Sequence, residues 1–155
     1  MSFFDPPPPR PPERQPPPPP WAAPPRGVVP GVLPAELILA RNDRVAVCLL
    51  RISVYSTGFE FDILVLAADQ DEELDPFVHR HPMHWRGTAA EIPAGMLRLG
   101  VEFGDGSKAT NTAGRPAGAG PPEAPVMNQR GGSGDDSSWR ETQWVWPLPP
   151  DGPLA

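Results

Sequence analysis

The sequence is 155 residues long and holds a single cysteine, Cys48, and a single lysine, Lys108. One cysteine cannot close an internal disulfide, which excludes the stapled framework of small secreted domains. Cys48 lies inside the apolar run 45–50. That setting predicts a small buried hydrophobe, because a reactive thiol needs an electropositive, partly exposed environment. A basic excess is also missing: the net charge is −6. Nothing is there to neutralise a row of phosphates, so nucleic acid and anionic membrane surfaces are not expected partners. Long apolar runs are absent as well. The longest is about six residues, against the ~20 a membrane helix requires. The opening Met-Ser-Phe-Phe-Asp shows neither the basic nor the apolar region of a secretory leader. The expected location is cytoplasmic.

Proline, in contrast, is abundant. Fifteen of the 26 prolines fall before residue 35, at 6–9, 11–12, 16–20, 24–25, 30 and 34. Proline fixes φ and removes the backbone donor, so this stretch reads as polyproline II or coil. Residues 1–34 are therefore expected to be a disordered Pro-rich arm, and 35–155 a β domain of one modest core. The arm holds Arg10, Arg14 and Arg26 against Asp5 and Glu13, a balance of +1, so the rest of the chain carries −7. The arm reads as a solubilising spacer or as a docking site for a Pro-binding domain, through Arg10-Pro11-Pro12 or the run ending at Trp21. Trp21 has the apolar surface to fold back onto the domain.

Beyond the arm, short apolar segments alternate with period two. Strands are expected over 36–41, 44–56 and 59–68, with Asn42-Asp43 and Thr57-Gly58 as turns. In the second, Ala46, Cys48, Leu50, Ile52 and Val54 are placed on one face. In the third, Phe59, Phe61, Ile63 and Val65 share a face opposite Glu60 and Asp62, the clearest alternation in the chain. Leu97, Leu99, Val101 and Phe103 alternate over 95–104, and Gly104-Asp105-Gly106 turns the chain into a return strand at 107–112. Long loops are expected at 69–94 and 113–138, the latter rich in Gly, Pro and Ser. A last strand, 139–146, carries Trp139, Trp144 and Trp146 and runs into the turn signature Pro149-Pro150-Asp151-Gly152. Only three residues follow, so this strand is expected to lack a partner and to lie on an open edge. The fold class is all-β: a small antiparallel β-sandwich or partly open barrel.

The stretches Leu97-Arg-Leu-Gly-Val-Glu-Phe-Gly-Asp-Gly-Ser-Lys-Ala-Thr-Asn111, Arg130-Gly-Gly-Ser-Gly and Trp144-Val-Trp-Pro-Leu-Pro-Pro-Asp-Gly-Pro153 resemble a group of uncharacterised actinobacterial (Streptomyces-type) proteins of somewhat greater length. Trp21-Ala-Ala-Pro-Pro and Val32-Leu-Pro-Ala-Glu-Leu belong to the same likeness. The near absence of lysine among 13 basic residues agrees with such a source. The resemblance brings no activity with it. It implies a strand beyond the Pro-Pro-Asp-Gly turn, and hence a C-terminal truncation here.

Three features invite a chemical reading. His79, His81 and His84, the chain's only histidines, fall within six residues beside Met83. Imidazole suits zinc, copper or nickel, and a catalytic zinc takes three protein ligands and a water. All three would come from one proline-broken loop without a rigid supporting shell, which counts against a built site. Glu60 with Asp62, and Asp71-Glu72-Glu73, read as solvated carboxylates, since nothing separates their pKa values as acid–base catalysis requires. The Gly-rich turns lack the order of a phosphate loop and the strand–helix unit of a dinucleotide site. The main expectation is a non-enzymatic protein-interaction or accessory module without a cofactor. Its expected partner is a protein, bound through the Pro-rich arm or by strand addition at Trp139, Trp144 and Trp146. The alternative is a metal-binding protein or metal-dependent hydrolase using the histidine loop.

Overall fold

The longest alternating segments pair first. β2 (Val45–Tyr55) and β3 (Gly58–Ala67) form an antiparallel hairpin joined by the two residues Ser56 and Thr57. β1 (Gly31–Arg41) lies along the far side of β2, and the Asn42 side chain closes their turn by accepting from the Arg44 and Val45 amides at 2.8 Å each. The computed structural model describes residues 16–68, 74, 92–93, 95–113 and 120–150. Within these, β4 (Gly100–Glu102) and β5 (Lys108–Thr110) make a small hairpin, and β6 (Val126–Gly134) pairs with β7 (Ser138–Trp146). The main sheet has five antiparallel strands in the order β1-β2-β3-β7-β6, and the two-stranded β4-β5 sheet is separate. The fold is all-β and open rather than closed into a barrel.

One face of the main sheet, here the inner face, carries Phe59, Phe61, Ile63 and Val65 of β3 with Val145 of β7 and Met127 of β6. Phe103 and Ala109 from the small hairpin complete this core, with Leu97, Leu99 and Val101 packed at its rim. Asn111, itself buried, fixes the approach to β4: its Oδ1 accepts from the Leu99 amide at 2.9 Å and its Nδ2 donates to the Leu97 carbonyl at 3.0 Å. Leu74 joins the core and donates its amide to the Asp136 carbonyl. The rest of the expected 69–94 loop, except 92–93, lies largely outside the described residues.

Four expectations are corrected. The boundary at 34 falls inside β1, and residues 16–25 pack on the outer face of the sheet instead of standing free. Prolines lack donors but keep carbonyls, and the carbonyls of Pro20 and of the following Trp21 find partners on the sheet. Next, the 113–138 loop contains β6. Its Gly131-Gly132-Ser133-Gly134 tract resembles a loop, yet the ladder requires glycine there, because a Cβ at Gly132 would overlap the Trp139 ring. As a result β7 is a central strand, paired on both sides, and no open edge exists at Trp139, Trp144 and Trp146. Finally, the phase of β2 changes midway. A bulge between Leu49 and Arg51 adds one residue, so Val45, Val47 and Leu49 share the inner face with Ile52 and Val54.

Gly58 supplies a direct test of the β3–β7 contact. A Cβ there would run into the Val145 carbonyl, and it would meet the Trp144 ring at 2.8 Å. Neither group can yield without moving the ladder. Gly58→Ala is expected to lower stability by about 1–3 kcal/mol. Gly131→Ala, whose Cβ meets nothing within 4 Å, is expected to stay within about 0.5 kcal/mol of wild type. Denaturant midpoints of the two variants decide the point, and equal midpoints would refute the close approach.

Candidate functional site

The outer face of the sheet differs from the inner one in kind. At the β7 end the arm covers it: Trp144 Nε1 donates to the Pro20 carbonyl at 3.1 Å, and Asn128 Nδ2 donates to the Trp21 carbonyl at 2.9 Å. The Trp21 and Trp146 rings meet edge-on at 6.2 Å. Tyr55 packs edge-on against Trp144 at 5.7 Å, and its hydroxyl donates to Glu60 Oε2 at 3.2 Å. Burial, and then the Glu60 charge and hydrogen bond, raise the Tyr55 pKa above its ordinary value. The Pro-rich run ending at Trp21 is thus itself docked on the sheet, while Arg10-Pro11-Pro12 lies outside the described residues.

Beside this covered patch lies a charged cluster. Asp62 of β3 is buried, with Oδ2 held by Arg51 Nε at 2.9 Å and Arg140 Nη2 at 2.7 Å, and Oδ1 accepting from Thr142 Oγ1 at 2.8 Å. Burial alone would push the carboxyl pKa up. The Arg140 and Thr142 hydrogen bonds, with the charges of Arg51 and Arg140, outweigh it and hold the pKa below the usual carboxylate value. The cluster lines a groove of about 280 Å³ whose far side is Gly131, Gly132 and Ser133 of β6. Asp62 was expected to be solvated. The correction comes from the register, which sets Arg51 directly opposite Asp62 and Thr142 on its other side. An opposite-charge pair across a hairpin is a readable signal once register is known.

A second polar cluster sits on the inner face. Glu141 is buried among neutral donors: Gln129 Nε2 and Trp139 Nε1 reach its Oε2 at 3.1 Å each, and Gln143 Nε2 reaches its Oε1 at 2.8 Å. Burial raises its pKa above the ordinary carboxylate value, and the three hydrogen bonds oppose that only in part.

The three tryptophans singled out in the sequence do not form one cluster. Trp144 and Trp146 are on the outer face under the arm, whereas Trp139 is on the inner face at Glu141. His79, His81 and His84, with Asp71, Glu72 and Glu73, lie outside the described residues. Among the described residues no group of three His, Cys, Asp or Glu side chains is placed to hold a metal ion. No helix among them is long and apolar enough to cross a membrane.

The remaining surface feature is a wing. The inner-face core, with Phe103 and Ala109 of the small hairpin, reaches Val45, Val47, Leu49, Ile52 and Val54 of β2, and β1 lies beyond them at the edge of the sheet. Val32, Leu33, Leu37, Ile38 and Leu39 are each 53–62% exposed. They occupy both faces of β1, since Leu33 and Leu37 pair with inner-face residues of β2, and Val32 and Ile38 with outer-face ones. No family model matches the chain, and no curated protein or solved structure matches it.

Proposed function

We propose that this chain is a non-enzymatic interaction module that associates with a second copy of itself through the β1–β2 wing. The observation that carries the reading is the run of large apolar side chains exposed along β1, which among the described residues is an edge strand of the main sheet. Exposed apolar edges of this length are normally covered or blunted. Association would remove this surface from water.

The other edge of the sheet favours a second copy as the occupant. β6 is bulged, and its edge is Arg130 followed by Gly131-Gly132-Ser133-Gly134, all exposed. Pairing β1 of one molecule with β6 of the next would set apolar side chains against a charge and a glycine tract. Pairing β1 with β1 matches like with like and closes about a two-fold axis. Charge along the wing is balanced, with Glu36 and Asp43 against Arg41 and Arg44. Pro34, a bulge on either side of Leu37-Ile38 and the positive φ of Glu36 break the regularity of β1. Side-chain contact at Leu37, Ile38 and Leu39 therefore contributes more than a long ladder would. A cytoplasmic setting belongs to this reading and rests on the lone, unpaired Cys48.

Sedimentation equilibrium on the full chain tests the proposal. The expected mass is that of two chains, reduced to one by the double substitution Leu37→Lys and Ile38→Lys with an unchanged far-ultraviolet spectrum. A wild-type mass of one chain at millimolar concentration would sink the reading. So would an open-ended series of larger species, or a dimer that survives the double substitution.

A further inference from the structure

The outer-face groove holds more positive charge than its own carboxylate balances. Arg51 and Arg140 converge on the single oxygen Oδ2 of Asp62. Both oxygens of that carboxylate are already engaged, and its side chain is only 2% exposed. One carboxylate against two guanidinium groups leaves a local charge of +1 in a chain whose total is −6. The two arginine side chains are half exposed, at 51% and 52%. Arg140 Nη2 donates a hydrogen bond to Asp62, and Arg51 approaches it as an ion pair through Nε. Arginine carries five N–H donors in a planar fork, so each retains donors beside the groove.

The opposite side of the groove is suited to the same kind of guest. Gly131, Gly132 and Ser133 belong to an edge strand, and the ladder is interrupted between Gln129 and Gly131. Ser133, opposite Arg140 in the register, adds a hydroxyl on the same face. Gly131 adds no bulk, and even a Cβ there would meet nothing within 4 Å. Among the described residues that line it, a cation finds no free carboxylate and an apolar guest finds no apolar wall.

We infer that the groove between Arg51, Arg140 and the Gly131–Ser133 backbone binds an oxyanion, the phosphate or carboxylate group of a small molecule or of a partner. Arginine forks match both groups in geometry and charge. The bound anion also relieves the repulsion between two guanidinium groups held against one oxygen. Arg51 stands on β2 opposite Pro34 of β1, so the groove borders the wing on the outer face, but its chemistry does not require a second copy of the chain.

The test is a nuclear magnetic resonance titration of the full chain, following the amides of Gly131, Gly132 and Ser133. Inorganic phosphate and acetate are added in separate arms, with sodium chloride at matched ionic strength as the control. A saturable shift with phosphate, acetate or both is expected, and the stronger arm identifies the group the site prefers. Two variants should weaken binding roughly tenfold, the equivalent of losing one charge-assisted hydrogen bond. Arg140→Gln removes a fork, and Gly131→Val puts bulk into the groove from a position where a Cβ meets nothing within 4 Å. Should Arg140→Gln fail to fold, Gly131→Val still decides. Shifts reproduced by chloride, no saturation in either arm, or affinity unchanged in Gly131→Val would overturn the site.

Discussion

Replacing Trp144 with alanine is expected to lower the stability of the protein by about 3–5 kcal/mol, the range for truncating a buried tryptophan. Trp144 is 0% exposed, although it stands on the face that an open sheet usually turns to water. Burial there depends on the arm. The indole N–H donates to the Pro20 carbonyl, Tyr55 packs against the ring, and Trp21 continues the layer onto Trp146. The substitution therefore removes both a core side chain and the anchor of residues 16–25. A second consequence distinguishes the two. The Ala22 amide donates to the Pro19 carbonyl in the docked arm, so its hydrogen exchange should accelerate in Trp144→Ala well beyond the global loss of stability. Trp144→Phe keeps a smaller aromatic ring and leaves the Pro20 carbonyl without its donor, at a cost of about 1 kcal/mol plus the packing lost with the indole. A Trp144→Ala protein with the wild-type melting midpoint, or with an unaltered Ala22 amide, would mean that the arm rests on the sheet without being held by it.

The arm also shows where the sequence was legible. Phe59, Phe61, Ile63 and Val65 announce a strand by alternation alone, and they do form the centre of the core. The turns at Asn42 and at Ser56-Thr57 were close to their expected places because turn chemistry is local. What failed was non-local. Leu50 follows the period-two pattern on paper, but the bulge at its position shifts the phase, and no neighbouring residue marks it. Gly131-Gly132-Ser133-Gly134 has a loop composition, and its role as a strand becomes visible only against the Trp139 ring that excludes a Cβ. Without β6, the sequence pattern leaves β7 at an edge and its tryptophans on an open strip. Asp62 looked like any outward carboxylate until register set Arg51 and Thr142 on either side of it. The polarity of the inner face at Glu141 and Gln143 was equally hidden, because their burial depends on contacts from other segments.

Glu141 provides the other large effect, and two substitutions should move stability in opposite directions. Its carboxylate accepts from Gln129, Trp139 and Gln143, all neutral donors. Glu141→Ala strands these donors and opens a cavity. Unsatisfied buried groups cost about 1–3 kcal/mol each, so a loss of at least about 3 kcal/mol is expected. Glu141→Gln retains the shape and removes the charge. Gln143 Oε1, buried and without a hydrogen-bond partner among the described residues, can accept from the new amide if the Gln143 side chain turns over. The pH dependence follows from the raised pKa of Glu141. The folded state favours the protonated acid, so this group's contribution is complete below the unfolded carboxylate value of about 4.3. It is lost as pH rises through the higher folded value, and at neutral pH the buried charge opposes folding. Asp62 acts in the reverse sense: its lowered pKa contributes stability above the unfolded value of about 3.9, lost as pH falls through the folded one. Glu141→Gln is thus expected to be more stable than wild type at pH 7, with the gap closing as pH falls into the carboxylate range, while acid unfolding through Asp62 stays. Thermal midpoints of both variants across pH 4–8 separate these contributions. A Glu141→Gln protein as unstable as Glu141→Ala at pH 7 would show that the three donors require a carboxylate and that its neutral isostere cannot serve them.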